Sequence, residues 1–222
     1  MNFLEELQAG NILLLDGGMG TMLNRLGLGL GGAINNLEHQ TEVTQVHKAY
    51  LEAGSRCLYT NTFSLNRIYA ANHGLEIDLS LCIRQGVAAA QAAAQEDTYI
   101  FGDIGPTGQM LAPLGDGEPT AIREAFLEQA QVLATAGVDG FVIETMFDIE
   151  ESLLAVQACR EVAADLPILA SMTFSTLARG GRTIMGNKAA DCANRLAAAG
   201  VSVVGANCGD LTPAEKIGRA HV

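Results

Sequence analysis

Three segments of the chain align without gaps: Ala53–Asn61, Ala136–Glu144 and Ala199–Asn207. Each opens on Ala-Gly, runs through apolar residues and reaches a polar side chain seven positions after its glycine: Gly54 to Asn61, Gly137 to Glu144, Gly200 to Asn207. A glycine that closes a helical stretch supplies the positive φ that such a cap requires. The apolar run behind it reads as a buried strand. Helix, tight turn and strand with a polar tip form one unit, and its repetition predicts an α/β fold. Strands that are apolar almost throughout belong to parallel sheets covered on both faces.

Three more strands fit the pattern without the Ala-Gly lead: Ile12–Leu15 ending at Asp16, Tyr99–Gly102 ending at Asp103, and Ile168–Met172 ending near Thr173. Helical patterns fill the gaps. Ile122, Phe126, Ala130 and Leu133 share one face behind Pro119, a good first-turn residue. Asp148-Ile149-Glu150-Glu151 reads as a capping box leading into Leu153 and Val156. Polar tips on all six strands favour a barrel, which gathers them at one mouth. A doubly wound sheet concentrates them at a single switch point. An eight-stranded barrel typically takes about 250 residues. The chain, with 222 residues, therefore reads as a (β/α)8 TIM barrel truncated at its C-terminal end, about six of eight strands being present. Thr212-Pro213-Ala214-Glu215 announces one more helix, with seven residues left to build it. Residues 1–216 are expected to be the partial barrel domain. Residues 217–222 match one frame of a common sequencing adapter and are expected to be a non-native tail.

Composition narrows the function classes. A formal net charge of −12 argues against nucleic acid or an anionic membrane as partner, since either calls for clustered Lys and Arg. No apolar run approaches the roughly 20 residues that span a bilayer, and the acidic start Met1–Glu6 lacks the basic flank of a signal peptide. Five scattered cysteines (57, 82, 159, 192 and 208) without a CxxC suit a reducing, cytoplasmic setting. Four are expected to pack as small apolar groups. The fifth, Cys208, closes Val203-Val204-Gly205-Ala206-Asn207-Cys208, which reads as a short buried strand ending in an amide and a thiol, a place from which the thiol can point into a site.

The other strand ends supply candidate partners. Asp16-Gly17-Gly18-Met19-Gly20-Thr21 puts a carboxylate beside a glycine cluster whose N–H groups suit an anion, a pairing that fits a zwitterionic amino acid. Asn61 is either a turn former or a site residue. Asp103 opens the Gly- and Pro-rich stretch 102–108, where it either caps the loop or faces the site. Glu144 follows Phe141-Val142-Ile143 and is expected to be partly buried, so it needs a partner. A substrate ammonium and an internal Arg or Lys are the alternatives. Arg179-Gly180-Gly181-Arg182 reads as a surface loop, and His39, His47 and His73 lack ligand spacing.

Taken together, Leu14–Thr21, Thr60–Phe63, Gly102–Gly108, Glu144–Asp148 and Gly205–Cys208 resemble the homocysteine S-methyltransferase family, above all the homocysteine-binding N-terminal module of cobalamin-dependent methionine synthase. The motifs stand in family order and cover nearly all of residues 10–215. The resemblance implies a (β/α)8 barrel that transfers a methyl group to the thiol of homocysteine, giving methionine. It implies a zinc ion held by three cysteines. Cys208 matches one; the other two, an adjacent pair in a Gly-Gly-Cys-Cys-Gly motif, are absent, so the chain by itself is expected to be inactive. It implies that Asp16 and Glu144 hold the substrate amino group, that Gly17, Gly18, Gly20 and Thr21 surround its carboxylate, and that Asn61, Asp103 and Asn207 complete the substrate site. Zinc leaves one tetrahedral position open, where homocysteine sulfur loses its proton and attacks the methyl donor in line. The donor implied is methylcobalamin on another domain or subunit, with cobalamin- and folate-binding modules as partners. Two rival readings are a metal-independent barrel aldolase or lyase using Glu144 and Asp103, and a barrel that binds an amino acid without turning it over.

Overall fold

The structure, a computed structural model, describes residues 2–29, 32–176 and 180–210. The helix announced at Thr212, the tail 217–222 and Arg179 lie outside them. The chain opens with helices α1 (Phe3–Gln8), α2 (Met19–Arg25), α3 (Asn35–Glu38) and α4 (Gln40–Glu52). Strand β1 (Cys57–Tyr59) is followed by α5 (Arg67–Asn72) and α6 (Leu79–Ala93). Strands and helices then alternate: β2 (Tyr99–Ile104), α7 (Pro119–Thr135), β3 (Gly140–Met146), α8 (Ile149–Val162), β4 (Ile168–Met172), α9 (Ala189–Ala198) and β5 (Val203–Ala206). The sheet is parallel throughout, in the order β1-β2-β3-β4-β5.

The three repeat glycines do what their position demands. Gly54, Gly137 and Gly200 have φ of 101°, 87° and 80°, a region that side chains disfavour. Pro119 stands in the first turn of α7, and Ile122, Phe126, Ala130 and Leu133 are fully buried behind it. Ile12–Leu15 differs from expectation. It lies parallel to β1, with Arg56 N–H donating to Leu14 O at 2.8 Å and Asp16 N–H to Cys57 O at 2.9 Å, yet only the Leu15–Cys57 bridge forms. The segment occupies a strand position on the outer edge, and no second strand flanks it among the described residues. Ile12 is accordingly 95% exposed.

Parity along the strands divides the structure. Residues on one face, including Ile100, Ile104, Phe141, Ile143, Ile168 and Ala170, pack under the helices in one large apolar cluster. Alternate residues on the other face point inward, as period-two geometry requires. Cys57, Phe101, Val142 and Leu169 form an apolar floor on that face, closed from below by Phe3. Phe3 meets Phe101 edge-on at 4.8 Å between ring centroids and Tyr99 at 5.5 Å. The helix carrying it, α1, is begun by a reciprocal cap in which Asn2 accepts from Glu5 N–H and Glu5 accepts from Asn2 N–H. The Arg56 guanidinium grips both oxygens of Glu6, at 2.8 and 3.0 Å, and so ties α1 to the sheet.

The capping box expected at Asp148 is half formed. Asp148 accepts from Glu150 N–H at 2.9 Å. Glu151 does not reach back; fully buried, it accepts from Thr107 N–H at 2.8 Å and Thr107 Oγ1 at 2.6 Å. The loop after β2 has no regular structure to satisfy its buried backbone, and this carboxyl does so instead.

If Phe3 plugs the floor, Phe3→Ala opens a cavity there and destabilises the protein by about 3–5 kcal/mol. Urea unfolding is expected to show the loss as a lower midpoint at unchanged slope; a shift under about 1 kcal/mol is incompatible with the plug.

Candidate functional site

A cavity of about 690 Å³ opens above the apolar floor, lined both by Leu15–Gly20 and by β5 with the residues that follow it. The edges of a flat five-stranded sheet would lie about 20 Å apart at ~4.8 Å per strand. One cavity touching both ends therefore requires the sheet to be rolled, with its interior at the C-terminal ends of the strands, where barrels keep their sites. Asp16, Gly17, Gly18, Gly20, Asn61, Asp103, Glu144, Asn207 and Cys208 all line it. Thr21 lies on the exposed first turn of α2, outside the lining.

The geometry turns on Asn207. Its Oδ1 accepts from the Thr145 N–H at 2.9 Å and from Ser171 Oγ at 2.8 Å. Its Nδ2 donates to Glu144 Oε2 and to Thr145 Oγ1, both at 2.8 Å. One amide thus joins β3, β4 and the end of β5. The reason it can reach both Glu144 and Thr145 is a bulge: Ile143 pairs with Ala170 but Met146 with Met172, so β3 carries one extra residue. Two consecutive side chains, Glu144 and Thr145, then face the cavity. Thr145 takes φ 60°, a rare conformation for a β-branched residue. Cys208, exposed and at φ 48°, places its Sγ 3.4 Å from Thr145 Oγ1. The other four cysteines are buried, as packing residues should be.

Burial dominates the electrostatics. It pushes the Asp16 carboxyl up to about 8, with the Glu144 charge adding to the rise and the Tyr59 N–H opposing it. Burial raises Glu144 to about 7. Asp103 is held well above the usual carboxylate range, by burial first and then by Glu144, Asp16 and Cys208. Asp103 Oδ1 and Asp16 Oδ1 are both buried without a hydrogen-bond partner. Among the described residues, no Lys, Arg or His lines the cavity. Of the alternatives for Glu144, no internal cation pairs with it among the described residues; the Asn207 amide donates to it.

Other candidate residues have structural duties as well. Asn61 Nδ2 donates to Asn36 Oδ1 at 2.9 Å and Gly32 O at 3.2 Å, while Asn36 Nδ2 donates back to Asn61 O at 2.7 Å. A Cβ at Gly17 would fall 2.9 Å from the Tyr50 hydroxyl, so that glycine makes room for a tyrosine whose OH donates to Gly18 O. Ser171, Thr145, Tyr59 and Asn36 were not singled out by the sequence. Ser171 was accessible through parity, being two residues from inward Leu169; the Asn36–Asn61 pair spans 25 positions and left no local signal.

Among the described residues no group of three or more His, Cys, Asp or Glu is placed to hold a metal ion. Cys208 is a single thiol donor. A catalytic zinc takes three protein ligands, so the described residues do not make a zinc site.

The family model for homocysteine S-methyltransferase matches residues 13–219. Betaine–homocysteine S-methyltransferase 1 of Pongo abelii is 29% identical over 213 residues, covering 92% of this chain and 50% of the relative. Methionine synthase of Mycobacterium tuberculosis is 28% identical over 224 residues, covering 92% of this chain and 18% of the relative. The chain thus spans half the length or less of these two relatives. Among solved structures, the metallated homocysteine methyltransferase MmuM of Escherichia coli superposes with a TM-score of 0.79 at 21% identity, over 96% of this chain and 80% of that one. That likeness establishes the fold as part of a (β/α) barrel.

The raised carboxyls give a pH dependence of definite sign. A carboxyl whose folded value lies above its unfolded one stabilises fully below the unfolded value, near 4, and that contribution is lost as pH rises through the folded value. For Asp16 the window runs from the ordinary 3.8 to about 8. Asp16→Asn removes the titration, so the unfolding free energy of the wild type relative to this variant is expected to fall steadily between those limits. Denaturant melts of both proteins across the range measure it; a constant difference contradicts the buried, cation-free carboxyl.

Proposed function

The chain belongs to the homocysteine S-methyltransferase family, and from that premise we propose that its cavity receives the amino-acid end of homocysteine, as the acceptor-binding part of a methyl-transferring protein. The observation that carries this is the lining itself: carboxyls from Asp16, Asp103 and Glu144, with no basic side chain beside them among the described residues. Buried carboxylates without a counter-ion hold their protons. A substrate ammonium supplies the missing charge. On binding, Asp16 and Glu144 give up protons and pair with it, while Asn207, bonded to Glu144 Oε2, fixes the carboxylate that does so. The backbone at Gly17, Gly18 and Gly20 lines the same cavity and offers N–H donors to the substrate carboxylate.

Cys208 is proposed as one metal donor at the rim. No adjacent cysteine pair occurs in the 222 residues. The single thiol favours a second reading for this chain taken alone: it binds the amino acid without completing methyl transfer. The aldolase or lyase alternative lacks its usual amine, since no Lys lines the cavity. Methylcobalamin on another domain, with cobalamin and folate modules, is the donor that the resemblance to the cobalamin-dependent methionine synthase module implies. Betaine is the donor in the name of the other relative, and the two matches differ by one percentage point (29 against 28).

Calorimetric titration with L-homocysteine in buffers of different ionisation enthalpy tests the reading. Expected are net proton release and an affinity that rises between about pH 6 and 8. Glu144→Gln is expected to weaken binding at least about tenfold, the scale of one lost charge-assisted bond. Cys208→Ser is expected to leave metal-free binding within about twofold, because the ammonium and not the sulfur is the anchor. Binding without proton exchange overturns the carboxyl–ammonium pairing.

A further inference from the structure

Tyr59 ends β1 and lines the cavity of about 690 Å³. It follows inward-facing Cys57 by two residues, so the same parity turns both inward. Its backbone N–H donates to Asp16 Oδ2 at 2.9 Å, which ties the strand end to the segment before α2. Its ring packs against the apolar floor and meets Phe101 edge-on, with 6.3 Å between centroids. A phenylalanine would make that contact as well. The hydroxyl is what packing leaves unexplained.

Among the described residues the Tyr59 hydroxyl has no hydrogen-bond partner, yet it is not one of the buried, unmatched polar atoms, so a ligand can reach it. The carboxyls of Asp16, Asp103 and Glu144 line the same cavity. Burial, and then the charges of Glu144, Asp16 and Asp103, hold the phenol well above its ordinary range. It therefore stays protonated, a neutral oxygen in a field that attracts cations. An ammonium carries three N–H donors. In the binding mode proposed above, Asp16 and Glu144 take two of them. We infer that the Tyr59 hydroxyl oxygen accepts the third, which makes Tyr59 a further binding residue for the amino-acid end of the substrate. This inference rests on the homocysteine reading of the cavity. The carboxylates supply charge to the pairing, and the phenol, held by its ring, supplies direction.

Calorimetry with L-homocysteine on the 222-residue chain and on its Tyr59→Phe variant tests this. The variant keeps the ring and loses the hydroxyl. Expected is an affinity at least about tenfold lower, the scale of one hydrogen bond to a charged group. Proton release per homocysteine is expected to stay unchanged, because the carboxyls still ionise. A second readout needs no variant. The chain has four tyrosines and no tryptophan, so tyrosine fluorescence reports on the site. Homocysteine is expected to change it in the wild type, and Tyr59→Phe to lose more than half of that change. A wild type that binds no homocysteine overturns the homocysteine reading and this inference together. A wild type that binds with proton release, and is matched by Tyr59→Phe within about threefold, overturns this inference alone. So does wild-type fluorescence that saturating homocysteine leaves unmoved.

Discussion

The side-chain amide of Asn207 is bonded at both ends to three strand termini. Its oxygen takes two donors, from Thr145 and Ser171, and its nitrogen serves Glu144 and Thr145. An amide has two donor hydrogens and two acceptor sites, and all four are used. This saturation is what lets the bulge in β3 persist. A threonine at φ 60° costs about 1–3 kcal/mol, a cost the two Asn207 bonds to Thr145 offset. The bulge in turn brings Glu144 and Thr145 inward together, and the residue after the amide is Cys208. The carboxylate, the hydroxyl and the thiol of the site thus share one support.

The second constraint is electrostatic. Strand parity delivers Asp103 and Glu144 to the inside, and the segment before α2 adds Asp16. None has a basic neighbour in the lining, and Asp16 and Asp103 each keep a buried oxygen unmatched. The protein tolerates this because protons can fill the gap below neutral pH. The polar cluster sits directly above an apolar floor of Phe101, Val142 and Leu169 that keeps the local dielectric low. A low dielectric weakens the lone carboxylate and strengthens its pairing with a cation, so one environment accounts for both the raised carboxyls and their use.

Much of this was legible in the sequence, and the reasons differ by residue. The glycine-to-tip spacing placed Asn61, Glu144 and Asn207 correctly because it measures a fixed turn plus a fixed run of strand. Burial of Ile122, Phe126, Ala130 and Leu133 followed from helical periodicity. What escaped was non-local. Glu151 looked like a local cap partner, yet the buried loop at Thr107, 44 positions away, claimed it. The Asn207–Ser171 and Asn207–Thr145 bonds join separate strands and follow from register, which composition does not encode. Helix α1 carried its signal openly, Asn2 three residues before Glu5, but its role as a floor plug depends on where Phe3 lands. Ile12–Leu15 was read as a full strand from its apolar run; only its last residue, Leu15, forms a bridge, to Cys57.

The site also divides by function along its depth. On the reading proposed above, the amino-acid end of a substrate meets the carboxyls, the Asn207 amide and the backbone at Gly17–Gly20. On the same reading the sulfur end meets Cys208, exposed beside Thr145 Oγ1 and the one thiol among the described lining residues. Recognition and chemistry therefore rest on different residues, one set saturated with internal bonds and the other a single donor. Ammonium binding draws on charge and burial already fixed by the fold. Thiol activation needs a metal field that one sulfur cannot anchor. On the proposed division, selectivity for an amino acid would rest on the strand ends described here, and methyl transfer on further metal donors beside Cys208.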